Sequence, residues 1–229
     1  MGIHSQFLVH WTGKDLTSGD SSQFVNRLKN CCEFGLYMKS GNELIYGSTD
    51  TTVTANVSRV CFTEIRLSQA LSHSHSYGGL GIGFNRCFVL ERMGGPVFYV
   101  QNGINSVTID HFAHVHKYFR NISNQVMIDR MNTIMGFLKN LSDVGDNNLS
   151  YYEEMEWRII QVDCLMDRYI VPVNSSTGIY RVKFNPEDVE LIVFPDKETK
   201  KLALKDDYVL DFFKDYQPMI TTVDDCAHF

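Results

Sequence analysis

Tyr151-Tyr152-Glu153-Glu154-Met155-Glu156-Trp157-Arg158-Ile159-Ile160 sets three carboxylates within four positions and runs straight into an apolar segment. Read as a strand, its side chains point alternately to opposite faces. Glu154, Glu156 and Arg158 then share one face, and Met155, Trp157 and Ile159 share the other. The apolar face is expected on the core, which leaves the charged face toward a cleft or solvent. Carboxylates at i and i+2 raise each other's proton affinity while the neighbouring guanidinium lowers it, so the segment is a candidate site. The plain alternative is a half-solvated strand whose charges keep an edge soluble.

Working upstream, apolar residues recur at helical spacing over about 111–141. Phe112, Val115, Phe119, Ile122, Val126 and Met127 form one stripe, and Met131, Ile134, Met135, Leu138 and Leu141 a second. Two helices joined near 121–124 are expected, followed by a turn at Gly145-Asp146-Asn147-Asn148. Downstream the pattern is β-rich, with strands at 169–173, 179–184 and 189–194, a charged helix around 200–216 and a closing strand at 219–223.

The first third opens with the strand-like run Phe7-Leu8-Val9-His10-Trp11-Thr12. Phe24, Leu28, Cys31 and Cys32 follow on one helical face, with Asp20, Ser21 or Ser22 as cap and Gly35 as stop. Leu36-Tyr37-Met38 is expected to reach a turn at Ser40-Gly41. Further strands are read at 57–65 and 97–100, the latter ended by Asn102-Gly103. Fixed-period repeats and dividing linkers are absent from the sequence. The economical architecture is one α+β domain over 1–229, a mixed sheet with a helical insertion at about 111–141.

At 229 residues, 44% hydrophobic and 21% charged, the chain is long enough for a sizeable core. Its 15 Phe and 11 Tyr favour sheet over disorder. A net charge of −6 offers no basic footprint, so a nucleic-acid partner is not favoured. The six Cys form no CxxC pair and read as buried thiols of a reducing compartment. With no signal-peptide pattern and no membrane-length apolar run, the expectation is a cytoplasmic, soluble protein.

Several residues invite chemistry. His10 can contact a ligand from the end of the opening strand, although a lone His among apolar neighbours is more often a satisfied core residue. His73, His75, His111, His114 and His116 are close in sequence, but His114 and His116 diverge on a helix, so no metal site is expected. Tyr77-Gly78-Gly79-Leu80-Gly81-Ile82-Gly83 matches neither phosphate-binding glycine motif and suits a closely packed strand. Cys61 lacks an assignable His for nucleophilic work.

In order, Leu8–Thr12, Leu28-Lys29-Asn30 with Phe34-Gly35-Leu36, Ser58–Ser68, Tyr77–Phe84, Gly95–Val100, Glu154–Arg158 and Pro186–Val193 resemble the AbiGi-type abortive phage resistance family of antitoxins. The resemblance runs from His10 to Val193. It implies the antitoxin or regulatory half of a toxin–antitoxin-like defence system, with a cognate toxin or other defence protein as partner. Control by binding and control of expression both stay open, and the oligomeric state is not implied. The layout is also similar to ADP-ribosyltransferase-like folds, with a split, mostly antiparallel sheet. That second resemblance implies an NAD-using enzyme: His10 and Thr12 with Thr63, Tyr77 and Arg158 around NAD, and Glu156 stabilising the oxocarbenium-like centre. Glu154 would orient the attacking group. Phe62-Thr63-Glu64 departs from the Ser-Thr-Ser run of such transferases.

Overall fold

The computed structural model describes residues 7–17, 19–46, 52–64, 66–100, 107–140, 155–174 and 179–228. Glu154, Leu141, the Asn102-Gly103 stop and the turn at 145–148 lie outside these residues.

The opening run forms β1 (Phe7–Thr12). Helix α1 (Ser21–Phe34) follows, with the Asp20 carboxylate accepting from the Ser22 and Gln23 amides and Gly35 closing it at φ 90°. A long hairpin comes next, β2 (Leu36–Tyr46) and β3 (Thr52–Thr63). Ser40 and Gly41 are therefore not a turn. They pair with Ser58 and Val57 within the hairpin, a cross-strand contact that overrides the local turn signal. Helix α2 (Ala70–Tyr77) leads to β4 (Leu80–Asn85) and then α3 (Arg86–Glu91).

The glycine-rich run is a core strand. Leu80, Ile82 and Phe84 point into the main core. Gly81 and Gly83 face the other way, where a Cβ would meet Trp11 Cζ3 at 3.1 Å and Leu191 Cβ at 2.8 Å. The missing side chains let β4 pack between its neighbours.

Short strands β5 (Gly95–Pro96) and β6 (Phe98–Val100) precede α4 (Val107–Asn121), α5 (Gln125–Met135) and β7 (Leu138–Asn140). The acidic segment becomes β8 (Glu156–Ile160), followed by β9 (Ile170–Asn174), β10 (Ile179–Val182) and β11 (Val189–Phe194). The chain closes with α6 (Lys197–Ala203), α7 (Asp207–Phe212), β12 (Met219–Thr222) and α8 (Val223–Cys226).

Among the described residues, ten strands join in one mixed α+β sheet of order β12-β11-β4-β1-β3-β2-β10-β9. Strand β8 is added on β3 and β5 on β8. Pairing is antiparallel except between β11 and β12. Strand β3 is the pivot. It pairs with β2 through Arg59, touches β1 at Val9↔Thr63, and holds β8 from Arg59↔Ile160 to Thr63↔Glu156.

The main core lies on one side of the sheet, where α1 brings Phe24, Val25 and Leu28 against Leu8, Phe62, Ile82 and Ile192. Opposite it, Val9 and Trp11 pack with Ala70 of α2, Leu191 and Val193 of β11, and Val223 and Cys226 of α8. The insertion has its own core of Ile109, Ala113, Met135 and Leu138. Here the expected first stripe holds only in part: Phe112 packs against this core, but Val115, Ile122 and Val126 are exposed, and Ile109, Ala113 and His116 face inward. The second stripe holds at Met131 and Met135 but not at exposed Ile134, and Leu138, expected on the helix, is buried on strand β7 past its end. No described helix is long and apolar enough to cross a membrane.

Candidate functional site

On β8, Trp157 packs against the main core and Ile159 lies within it, as the alternation predicts. Met155 lies ahead of the strand at φ 44° and is exposed. The charged face is the surprise. Glu156 and Arg158 do share it, yet both are buried. The helical insertion supplies the reason: Arg158 Nη1 donates to the carbonyl of Gly136, just past α5, in a 2.5 Å bond. The expected exposure to cleft or solvent is therefore corrected. The face is roofed by protein.

The Glu156 carboxylate is surrounded by donors. Arg158 Nε lies 2.7 Å from Oε1 and Nη2 3.3 Å from Oε2, while Lys139 Nζ on β7 lies 2.6 Å from Oε2. The Tyr99 hydroxyl of β6 accepts from the Glu156 amide at 2.9 Å. Burial alone pushes the carboxyl upward, but Arg158 and Lys139 outweigh it and hold Glu156 down at about 2. These bonds tie β6, β7 and the end of α5 to the central sheet. Beside them, burial and the Glu156 charge push the Cys61 thiol up to about 12, far from a reactive thiolate.

Thr63 sits directly across from Glu156 and is also buried. Its hydroxyl accepts from Trp11 Nε1 at 3.1 Å and donates to the Val9 carbonyl at 3.3 Å. Tyr77 packs against the Val9–Trp11 cluster on this same side, at 6.0 Å from the His73 ring. Thr63, Glu156, Arg158 and Tyr77 thus share one side of the sheet.

His10 and Thr12 project from the other side. The His10 ring lies 5.9 Å from that of Phe62, whose side chain points away from that of Thr63. His10 Nδ1 lies 2.9 Å from the Cys61 carbonyl, which can only accept, so the ring proton sits on Nδ1. Burial lowers the His10 pKa, partly opposed by the Cys61 carbonyl, with Arg27 lowering it further. The Thr12 hydroxyl accepts from Arg27 Nη1 at 3.1 Å, and Arg27 also pairs with Asp15 at 2.6 Å. The structure therefore does not bring His10 and Glu156 into one hollow. Glu154 lies outside the described residues.

Sequence reasoning missed a second buried carboxylate on the His10 side. Glu64 pairs with Arg86 and accepts from Trp157 Nε1 at 2.9 Å, and Arg86 also lies 5.8 Å from the Trp157 ring. It also missed Arg92, a buried cation that donates to the Phe88 and Lys183 carbonyls and pairs with Asp188 at 3.4 Å. Apart from Phe88, these partners are tens of residues apart, and no local pattern announces them. Cys31, Cys32 and Cys226 are buried thiols as expected, but Cys87 and Cys164 are exposed because the short helical segments that carry them lie at the surface. Among the described residues, no three His, Cys, Asp or Glu side chains gather to hold a metal.

A family model described as "Putative abortive phage resistance protein AbiGi, antitoxin" matches residues 37–195, more than half of the chain. The matched stretch contains the β2–β3 hairpin, the insertion and the Glu156 network, while β1 and α1 precede it. No curated protein and no solved structure matches the chain.

Proposed function

The chain belongs to the AbiGi family of abortive phage resistance antitoxins, and from that premise we propose that it restrains a cognate toxin or other defence-system protein by binding it directly. The observation that carries this reading is the condition of Glu156. A catalytic carboxylate must reach a substrate atom, whereas this one is buried and bonded to two cations that anchor the insertion. Its role is architectural. Control of expression through nucleic acid would call on a basic face, and the net charge of −6 argues against it. The NAD-using alternative requires His10 and Glu156 around one cleft, and their opposed directions lend it no support.

The test is neutralisation of a toxin that this chain binds, measured as growth of cells expressing both. Wild type and His10→Asn are expected to rescue growth equally and to copurify with the partner, since the Asn amide replaces the Nδ1 donor to Cys61. Rescue lost in a folded His10→Asn protein that still copurifies would point instead to chemistry at His10.

A further inference from the structure

The helical insertion keeps its apolar packing to itself. Strands β6 and β7 form a two-stranded sheet outside the ten-stranded one. Ile109, Ala113, Met135 and Leu138, with Phe112 and Val100 beside them, make a core that shares no residue with the two cores of the sheet. On the remaining faces of α4 and α5, Val107, Val115, Tyr118, Val126 and Ile134 are exposed.

What docks the insertion is largely polar. Helix α5 lies along β3, and α4 reaches β2 and β3. At the seam Lys139 Nζ of β7 lies 2.6 Å from Glu156 Oε2, and Arg158 Nη1 donates to the Gly136 carbonyl at 2.5 Å. The Tyr99 hydroxyl of β6 accepts from the Glu156 amide at 2.9 Å. Gly136 brings only backbone against Val57 and Ile160, two buried residues that belong to none of the three cores.

Apolar layers are held together in proportion to the area they bury. A buried ion pair behaves otherwise: separation returns both ions to water, and their hydration offsets much of the attraction lost. The seam of the insertion accordingly opens at less free energy than the layers of the main core. Once undocked, helices of 15 and 11 residues around a core of four buried residues are marginal in water, so undocking and unfolding of α4 and α5 go together.

We propose that β6, α4, α5 and β7 open as one cooperative unit while the ten-stranded sheet stays folded, with the Glu156 network as the latch. Opening bares Glu156 and Arg158, which the closed form buries. Proteins open in such contiguous units at free energies below that of global unfolding. This inference does not depend on the antitoxin reading.

Native-state amide hydrogen exchange of the full chain in low urea tests it. Amides of α4 and α5 are expected to share one opening free energy and one urea slope, both smaller than those of β1, β4 and β11. Two variants separate the latch from the fold. Glu156→Gln should speed exchange in α4 and α5 about a hundredfold. Gly83→Ala crowds Leu191 on strands that stay paired in the open form, so it should speed exchange in β4 and leave α4 and α5 unchanged. Exchange of α4 and α5 at the free energy and slope of β4 overturns the proposal, as does a Gly83→Ala protein in which both regions speed up alike. Unchanged α4 and α5 rates in Glu156→Gln overturn it equally, since the carboxylate would then latch nothing. Should Glu156→Gln not fold, the wild-type rates and Gly83→Ala decide.

Discussion

Replacing Glu156 by Gln removes one negative charge and keeps the side-chain shape. In the wild type that charge answers two cations, Arg158 with 3% of its side chain exposed and Lys139 with 14%. The amide withdraws that charge from both, and its NH2 group faces donors instead of accepting from them. Breaking a buried pair from one side costs about 3–5 kcal/mol, mostly the burden of the uncompensated charge. Lys139 can lean toward solvent, so the low end of that range, about 3 kcal/mol, is expected. For a chain of this size that is a fall in melting temperature of about 6–12 °C. Urea denaturation at pH 7 measures it directly, provided the transition is two-state.

The pH dependence supplies an independent check. The Glu156 carboxyl sits at about 2 in the fold against 4.5 for the free group. A depressed acid stabilises above its unfolded value and loses that contribution as pH falls toward the folded one. The gap between wild type and Glu156→Gln should therefore narrow from pH 5 downward. A Glu156→Gln protein within 1 kcal/mol of wild type at pH 7 would refute the reasoning, for the cations would not depend on this carboxylate.

Other expectations are narrower. His73 is buried, its Nδ1 has no hydrogen-bond partner, and burial lowers its pKa to about 4 from 6.5. The unfolded chain then binds the extra proton first, so stability falls as pH drops from 6.5 toward 4, by up to about 3 kcal/mol; His73→Leu should flatten that limb of the stability curve. Gly83→Ala drives a Cβ to 2.8 Å from Leu191 Cβ and should cost about 1–3 kcal/mol, while Gly95→Ala meets nothing within 4 Å and should lie within about 0.5 kcal/mol of wild type in the same titration. A thiol reagent should label Cys87 and Cys164 quickly in the native protein and reach Cys31, Cys32 and Cys226 only on unfolding.

Much of the architecture was legible because it rests on local period and caps. The glycine-rich strand, the two insertion helices and the strands β11 and β12, though not their pairing, all follow from side-chain period and turn chemistry. Alternation on β8 was also read correctly, as far as it goes. It divides side chains between two faces but does not say which face another layer will cover, and the insertion covers the charged one. The same limit explains α4, where two apolar faces compete and the less conspicuous Ile109–Ala113–His116 side wins because α5 and the sheet complement it. The Ser40-Gly41 turn was misread because its strand is held by Ser58 and Val57, contacts invisible in a short window. For the site, Glu156 with Arg158 could be paired from spacing alone. Lys139, Glu64 and Arg86 could not, since each meets its partner only after the sheet has formed.

The central claim is restraint by association without chemistry, and intact-mass analysis of the reconstituted pair tests it most directly. Purified chain mixed with the toxin it neutralises, with NAD present, should give a stable complex in which both masses are unchanged and the toxin regains activity on dissociation. A mass increment on the partner, persisting after the two are separated, would contradict the account.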